Sequence, residues 1–105
     1  MFDLTGKTAL VTGATGGIGG AIAEALHAQG ATVVLSGRQA DKLEALKAKL
    51  GDRAFVQPCD LANKEQVAKL VDEAVKLVGG RLDILVNNAG LTRDNLLMVM
   101  KDEQW

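Results

Sequence analysis

The sequence predicts an α/β fold: the N-terminal half of a doubly wound parallel sheet. Three observations predict it. Short apolar runs rich in β-branched residues alternate with longer stretches of helical periodicity, in the order β-α-β-α-β-α-β. A glycine-rich loop, Thr12-Gly13-Ala14-Thr15-Gly16-Gly17-Ile18-Gly19, joins the first run to the first periodic stretch. The chain has 105 residues, room for one domain at most. Right-handed crossovers then give the strand order 3-2-1-4, one half of a doubly wound sheet plus the first strand beyond its switch point.

The elements follow in chain order. Lys7 to Val11 is the first strand. Gly17 to Gln29 is a helix, with Ile18, Ile22 and Leu26 stacked at i, i+4 and i+8. Gly30 suits the left-handed position that ends it. Ala31 to Leu35 is a continuous apolar run, as a strand covered on both faces requires. Ala40 to Leu50 sets Leu43, Leu46 and Leu50 on one helical face, with Gly51 behind. Arg53 to Gln57 is a short third strand, ended by the only proline, Pro58.

Asn63 to Val78 has the strongest helical pattern, with a stripe of Val67, Leu70, Val71, Ala74, Leu77 and Val78. Asn63 can cap it and Gln66 can reach back, a variant of the capping box. Gly79 and Gly80 close it, and Leu82 to Val86 is a fourth buried strand. The outer side of that strand is expected to lack a partner, an edge able to recruit another chain. Leu91 to Trp105 has no clear pattern, although Asp102 could cap a helix starting near Glu103.

Composition narrows the function classes. Hydrophobic residues make up 48% and charged residues 24%, and the net charge is −1, so no basic excess directs the chain to nucleic acid or acidic membranes. No apolar run approaches the roughly 20 residues needed to cross a bilayer. The N-terminus lacks the basic and apolar regions of a signal peptide. The single cysteine, Cys59, cannot form an internal disulfide. A cytoplasmic protein is the expectation. One His and one Cys cannot build a transition-metal cluster, so no metal site is expected.

The glycine loop carries the main chemical signal. A strand, a glycine-rich turn and a helix place bare backbone N–H groups against a phosphate. Gly13 permits the tight turn, Gly17 lets the backbone approach a pyrophosphate, and Gly19 lets the helix pack close to the strand. The Gly-x-x-x-Gly-x-Gly spacing is one residue longer than the usual fingerprint. A plain βα turn is the alternative.

Arg38 follows the second strand, where the adenosine ribose of a dinucleotide would lie. A guanidinium there suits the 2′-phosphate of NADP, whereas an acid would suit NAD. A solvated surface arginine is the alternative. Asp60 can accept from an adenine amino group or merely form a turn. Cys59 reads as a small buried hydrophobe, His27 as solvated, and Met98 and Met100 as packing residues.

Three motifs in order, Thr12-Gly13-x-x-x-Gly17-Ile18-Gly19, Cys59-Asp60-Leu61 and Asn87-Asn88-Ala89-Gly90, resemble the short-chain dehydrogenase/reductase family. The stretch Leu91 to Trp105 is similar to the bacterial 3-oxoacyl-[acyl-carrier-protein] reductases within it. The resemblance covers the whole chain and implies a Rossmann-type fold binding NADP(H). Gly13, Thr15, Gly16, Gly17, Ile18 and Gly19 would hold the pyrophosphate and adenosine ribose. Arg38 would meet the 2′-phosphate, and Asp60 and Leu61 would border the adenine. Asn88, Ala89 and Gly90 would line the ribose and the approach to the nicotinamide, with Asn87 stabilising the central sheet. Many such reductases carry a basic residue where Gly16 stands, so the NADP preference rests on Arg38.

The resemblance further implies reduction of 3-oxoacyl-[acyl-carrier-protein] in fatty-acid synthesis by a homo-oligomer. Residues 1–105 would form its N-terminal dinucleotide-binding segment, cut before the catalytic half. The family's catalytic Asn, Ser, Tyr and Lys lie beyond the position of Trp105, and the chain has no Tyr, so no catalytic residue is assigned. Other carbonyl substrates, or an inert nucleotide-binding and self-associating half-domain, are the alternatives.

Overall fold

The structure, a computed structural model, describes residues 3–14, 17–58, 64–80, 82–87 and 97–100; of 64–68, 87 and 97–100 only the backbone is described. The elements are β1 (Thr8–Val11), α1 (Gly17–Ala28), β2 (Thr32–Gly37), α2 (Ala40–Leu50), β3 (Ala54–Pro58), α3 (Lys64–Leu77), β4 (Ile84–Asn87) and β5 (Leu97–Met100). The sheet order is β3-β2-β1-β4-β5. The first four strands are parallel in the expected order, 3-2-1-4.

The fifth strand departs from the expectation. β5 pairs antiparallel with β4, from Ile84↔Met100 to Asn87↔Leu97. The outer side of β4 is therefore occupied, not open. Residues 88–96 join the two strands, fewer than the dozen or more a parallel crossover requires, so the chain can return only antiparallel. The helix start near Glu103 lies outside the described residues.

Strand alternation divides the core into two layers. Ala9, Val11, Val33, Leu35, Ile84 and Val86 face α1 and α2, where Ala23 and Leu43 are fully buried. Leu10 and Val34 face α3, against Leu70 and Ala74, with Phe55 and Leu85 partly buried beside them. Helices on both faces explain why the central strands read as unbroken apolar runs.

Several residues sit differently from their sequence-based placement. Ile18, at the head of the α1 stripe, is 58% exposed, and the fully buried position on α1 is Ala23. Leu77 belongs to the α3 stripe but is 45% exposed. Pro58 belongs to β3, paired with Gly37, because β3 is the edge strand and its outer side demands no N–H. Arg53 lies outside the strand at φ 67°.

α1 closes as a Schellman motif. Gly30 N–H donates to the His27 carbonyl (3.0 Å) and Ala31 N–H to the Leu26 carbonyl (3.1 Å), with Gly30 at φ 104°. Arg53 Nη1 donates to the Ala31 carbonyl at 2.8 Å, and His27 Nε2 meets the Asp52 carbonyl at 2.5 Å. His27 is thus bonded to the α2–β3 turn and not merely solvated.

Candidate nucleotide-binding site

The glycine loop is anchored at two points before it reaches α1. Thr12 spends both its donors on β4: its N–H reaches the Val86 carbonyl at 2.9 Å and its Oγ1 the same oxygen at 3.2 Å. Two residues on, Ala14 N–H donates to the Ser36 carbonyl of β2 at 2.9 Å. Gly13, at φ 63°, makes the turn between these anchors in a conformation that favours glycine. The loop is thereby pinned to both neighbours of β1, at the carboxyl end of the sheet.

α1 starts directly from this loop. The opening amides of a helix have no acceptor within it, and its dipole favours an anion there. The first turn of α1 carries no acidic residue to oppose one. A Cβ built on Gly17 would meet no described atom within 4 Å, so the space beside its Cα is open among the described residues. Gly19 is buried, as close packing demands. Gly20 is close as well: its Cβ would stand 3.2 Å from the Ala14 carbonyl oxygen. Ile18 extends into solvent beside the open amides.

Arg38 is exposed immediately after β2, two residues past the carbonyl that holds Ala14. Gly13, Gly17, Ile18, Gly19 and Arg38 thus gather at one carboxyl-terminal corner. Thr15, Gly16, Asp60, Leu61, Asn88, Ala89 and Gly90, with Cys59, lie outside the described residues.

Two buried polar contributions escaped the sequence reading. Asp83 is 3% exposed, and its carboxylate accepts from Thr8 N–H at 2.9 Å, tying the base of β4 to β1. Thr12 carries the loop-to-β4 link described above. An Asp just before an apolar strand, and a Thr just after one, were the available signals. Among the described residues no cluster of His, Cys, Asp or Glu could hold a metal ion, and no helix is long and apolar enough to cross a membrane.

Four parallel strands ordered 3-2-1-4, helices on both faces and a glycine corner at the reversal between β1 and β4 define a Rossmann-type α/β protein. Residues 7–105 match the family described as short chain dehydrogenase, and the chain belongs to this oxidoreductase family. It is 55% identical over its full length to nodulation protein G of Rhizobium meliloti (strain 1021), covering 42% of that protein. It is 51% identical to the 3-oxoacyl-[acyl-carrier-protein] reductase FabG of Rickettsia felis, again over 100% of this chain and 42% of the relative. The fold superposes on 3-ketoacyl-(acyl-carrier-protein) reductase from Brucella melitensis complexed with NADH, with a TM-score of 0.76 and 38% identity, over 84% of this chain and 36% of that one. The chain therefore spans well under half the length of these relatives.

Proposed function

We propose that these residues form the NADP(H)-binding part of a 3-oxoacyl-[acyl-carrier-protein] reductase. The observation that carries the proposal is the open space over Gly17 at the start of α1, in a loop pinned to β2 and β4. A diphosphate laid there accepts from the first-turn amides with no side chain in its way. Bound, the cofactor would supply hydride to the ketone carbon. The chain's own part is to bind and orient it. Gly13, Thr15, Gly16, Gly17 and Gly19 would cradle the diphosphate, and Ile18 would lose exposed apolar surface beneath the cofactor. Asp60 and Leu61 would border the adenine, and Asn88, Ala89 and Gly90 the nicotinamide-side ribose.

Arg38 would pair with a 2′-phosphate, which favours NADPH over NADH. With no Tyr in the chain, the phenolic proton donor that the reading requires would lie outside these residues. The reductase reading is supported by the FabG relative, and the acyl-carrier-protein-linked substrate, a homo-oligomeric state and a cytoplasmic location follow from that reading. A reductase of another carbonyl substrate is the second reading, favoured by the match to nodulation protein G.

Fluorescence titration of the 105-residue chain with NADPH and NADH tests the cofactor assignment. Hydrogen bonds to a charged group are worth about 1.5–3 kcal/mol, so Arg38→Ala is expected to weaken NADPH about 10–100-fold and leave NADH unchanged. Equal effects on both coenzymes would overturn the role of Arg38.

A further inference from the structure

The two edges of the sheet are guarded unequally. At the β3 edge, Val33 N–H donates to the Arg53 carbonyl at 2.8 Å. Backbone groups alternate sides along a strand, so Phe55 and Gln57 also turn theirs to β2, and Ala54, Val56 and Pro58 turn theirs outward. Ala54 is 5% exposed and Pro58 has no N–H, which leaves this edge little to offer a further strand.

β5 forms the other edge. Thr12 N–H donates to the Val86 carbonyl, so Val86 turns its backbone groups to β1, while Leu85 and Asn87 turn theirs to β5. Leu85↔Val99 and Asn87↔Leu97 are then the hydrogen-bonded pairs of this antiparallel ladder. Met98 and Met100 hold the alternate positions and direct their N–H and C=O groups away from β4. β5 is last in the sheet order, so no described strand pairs with it on that side. Leu97-Met98-Val99-Met100 contains neither a charge nor a proline, the usual means of blunting an edge. The open edge expected at β4 has thus moved outward by one strand.

We propose that the outer side of β5 is a self-association surface, and that its occupant is a second copy of this chain with its own β5 laid antiparallel. A two-fold axis produces that arrangement, because one surface then serves both partners. With the axis beside Val99, Met98 stands opposite Met100 of the copy, and Met100 opposite Met98. Each pair exchanges both of its bonds, so every outward N–H and C=O of β5 is satisfied within the strand itself. A strand apolar at every position needs an equally apolar neighbour, which β5 is and a charged peptide is not. The product is one sheet continuous through both copies. The surface uses no residue of the glycine corner, so its failure would leave the coenzyme reading standing.

Sedimentation equilibrium of the 105-residue chain tests the proposal. The expected result is a reversible approach to twice the monomer mass as concentration rises. Met98→Pro removes an outward N–H and leaves the β4 ladder intact. It is expected to keep the circular dichroism spectrum and to weaken association about tenfold or more, since each copy loses one hydrogen bond. A second reading needs no proline. Val99 and its counterpart form a non-hydrogen-bonded pair, with Cα atoms about 4.5 Å apart, within reach of a disulfide. Val99→Cys in a Cys59→Ser background is therefore expected to give a covalent dimer on mild oxidation, suppressed by adding Met98→Pro. A monomer at every concentration would overturn the proposal. So would a folded Met98→Pro protein that associates as the parent does, or a Val99→Cys protein that forms no cross-link.

Discussion

Gly30 combines two constraints at one position. Its φ is 104°, and a Cβ there would stand 2.6 Å from Thr5 Oγ1 and 3.0 Å from Thr5 N. Gly30→Ala is expected to cost about 1–3 kcal/mol in urea denaturation, since backbone strain and a backbone collision add. The need for glycine at a helix end was readable from the sequence; the pressure from Thr5, 25 positions earlier, was not. Asp83 shows the same limit. Its place just before an apolar strand is a hint, but its partner Thr8 is distant in the chain, so the bond itself has no local signal. Asp83→Ala removes the carboxylate that accepts from Thr8 N–H and is expected to cost about 1–3 kcal/mol.

Asp3 offers a check at low pH. The Thr5 side chain, and then its N–H, hold the Asp3 carboxyl below the usual aspartate value. A lowered value means the ionised form favours the fold, so its small contribution is present above the ordinary aspartate pKa. It is lost as pH falls through the lowered one. NMR titration is expected to place the Asp3 midpoint below that of a free aspartate, and Thr5→Val is expected to move it back part of the way.

At the scale of elements, periodicity located every helix and every parallel strand because both faces of the sheet are covered. It failed where the covering ends. The α1 stripe predicts Ile18 as buried, but the stripe's first turn projects past the sheet at the glycine corner. The α3 stripe predicts Leu77 as core, but at the helix's last turn it is 45% exposed while Val78, next to it, packs on the core. The two ends of α3's apolar face therefore differ in weight. Leu70→Ala, at 2% exposure, is expected to cost about 2–5 kcal/mol, whereas Leu77→Ala is expected to fall within about 0.5 kcal/mol of the parent. β5 was not legible at all. Its short apolar run has no turn signal of its own, and only the unpaired edge of β4 gives it a place.

At the scale of the whole molecule, the parallel order 3-2-1-4 leads α1, α2 and the glycine loop to one carboxyl-terminal corner, where a dinucleotide would lie across the strand ends. The amides proposed to bind it come from the start of α1, and the loop before them is held by Thr12 and Ala14, bonded to the strands on either side. Half of the candidate site was readable as a motif because glycines and a following arginine are local signals. The anchoring carbonyls of Val86 and Ser36 come from strands remote in sequence, so no local pattern announces them. On the proposed reading the chain would bind coenzyme, and, with no Tyr to serve as the family's phenol, would be expected not to turn over a 3-oxoacyl thioester.

Calorimetric titration of the parent chain and of Gly17→Val with NADPH tests the central claim most directly. A Cβ here meets no described atom within 4 Å, and the valine methyls would crowd the space that the proposal gives to the diphosphate, so stability is expected to stay within about 0.5 kcal/mol while binding heat disappears. Absence of heat with the parent chain, or undiminished affinity in Gly17→Val, would contradict the assignment of this corner to a dinucleotide.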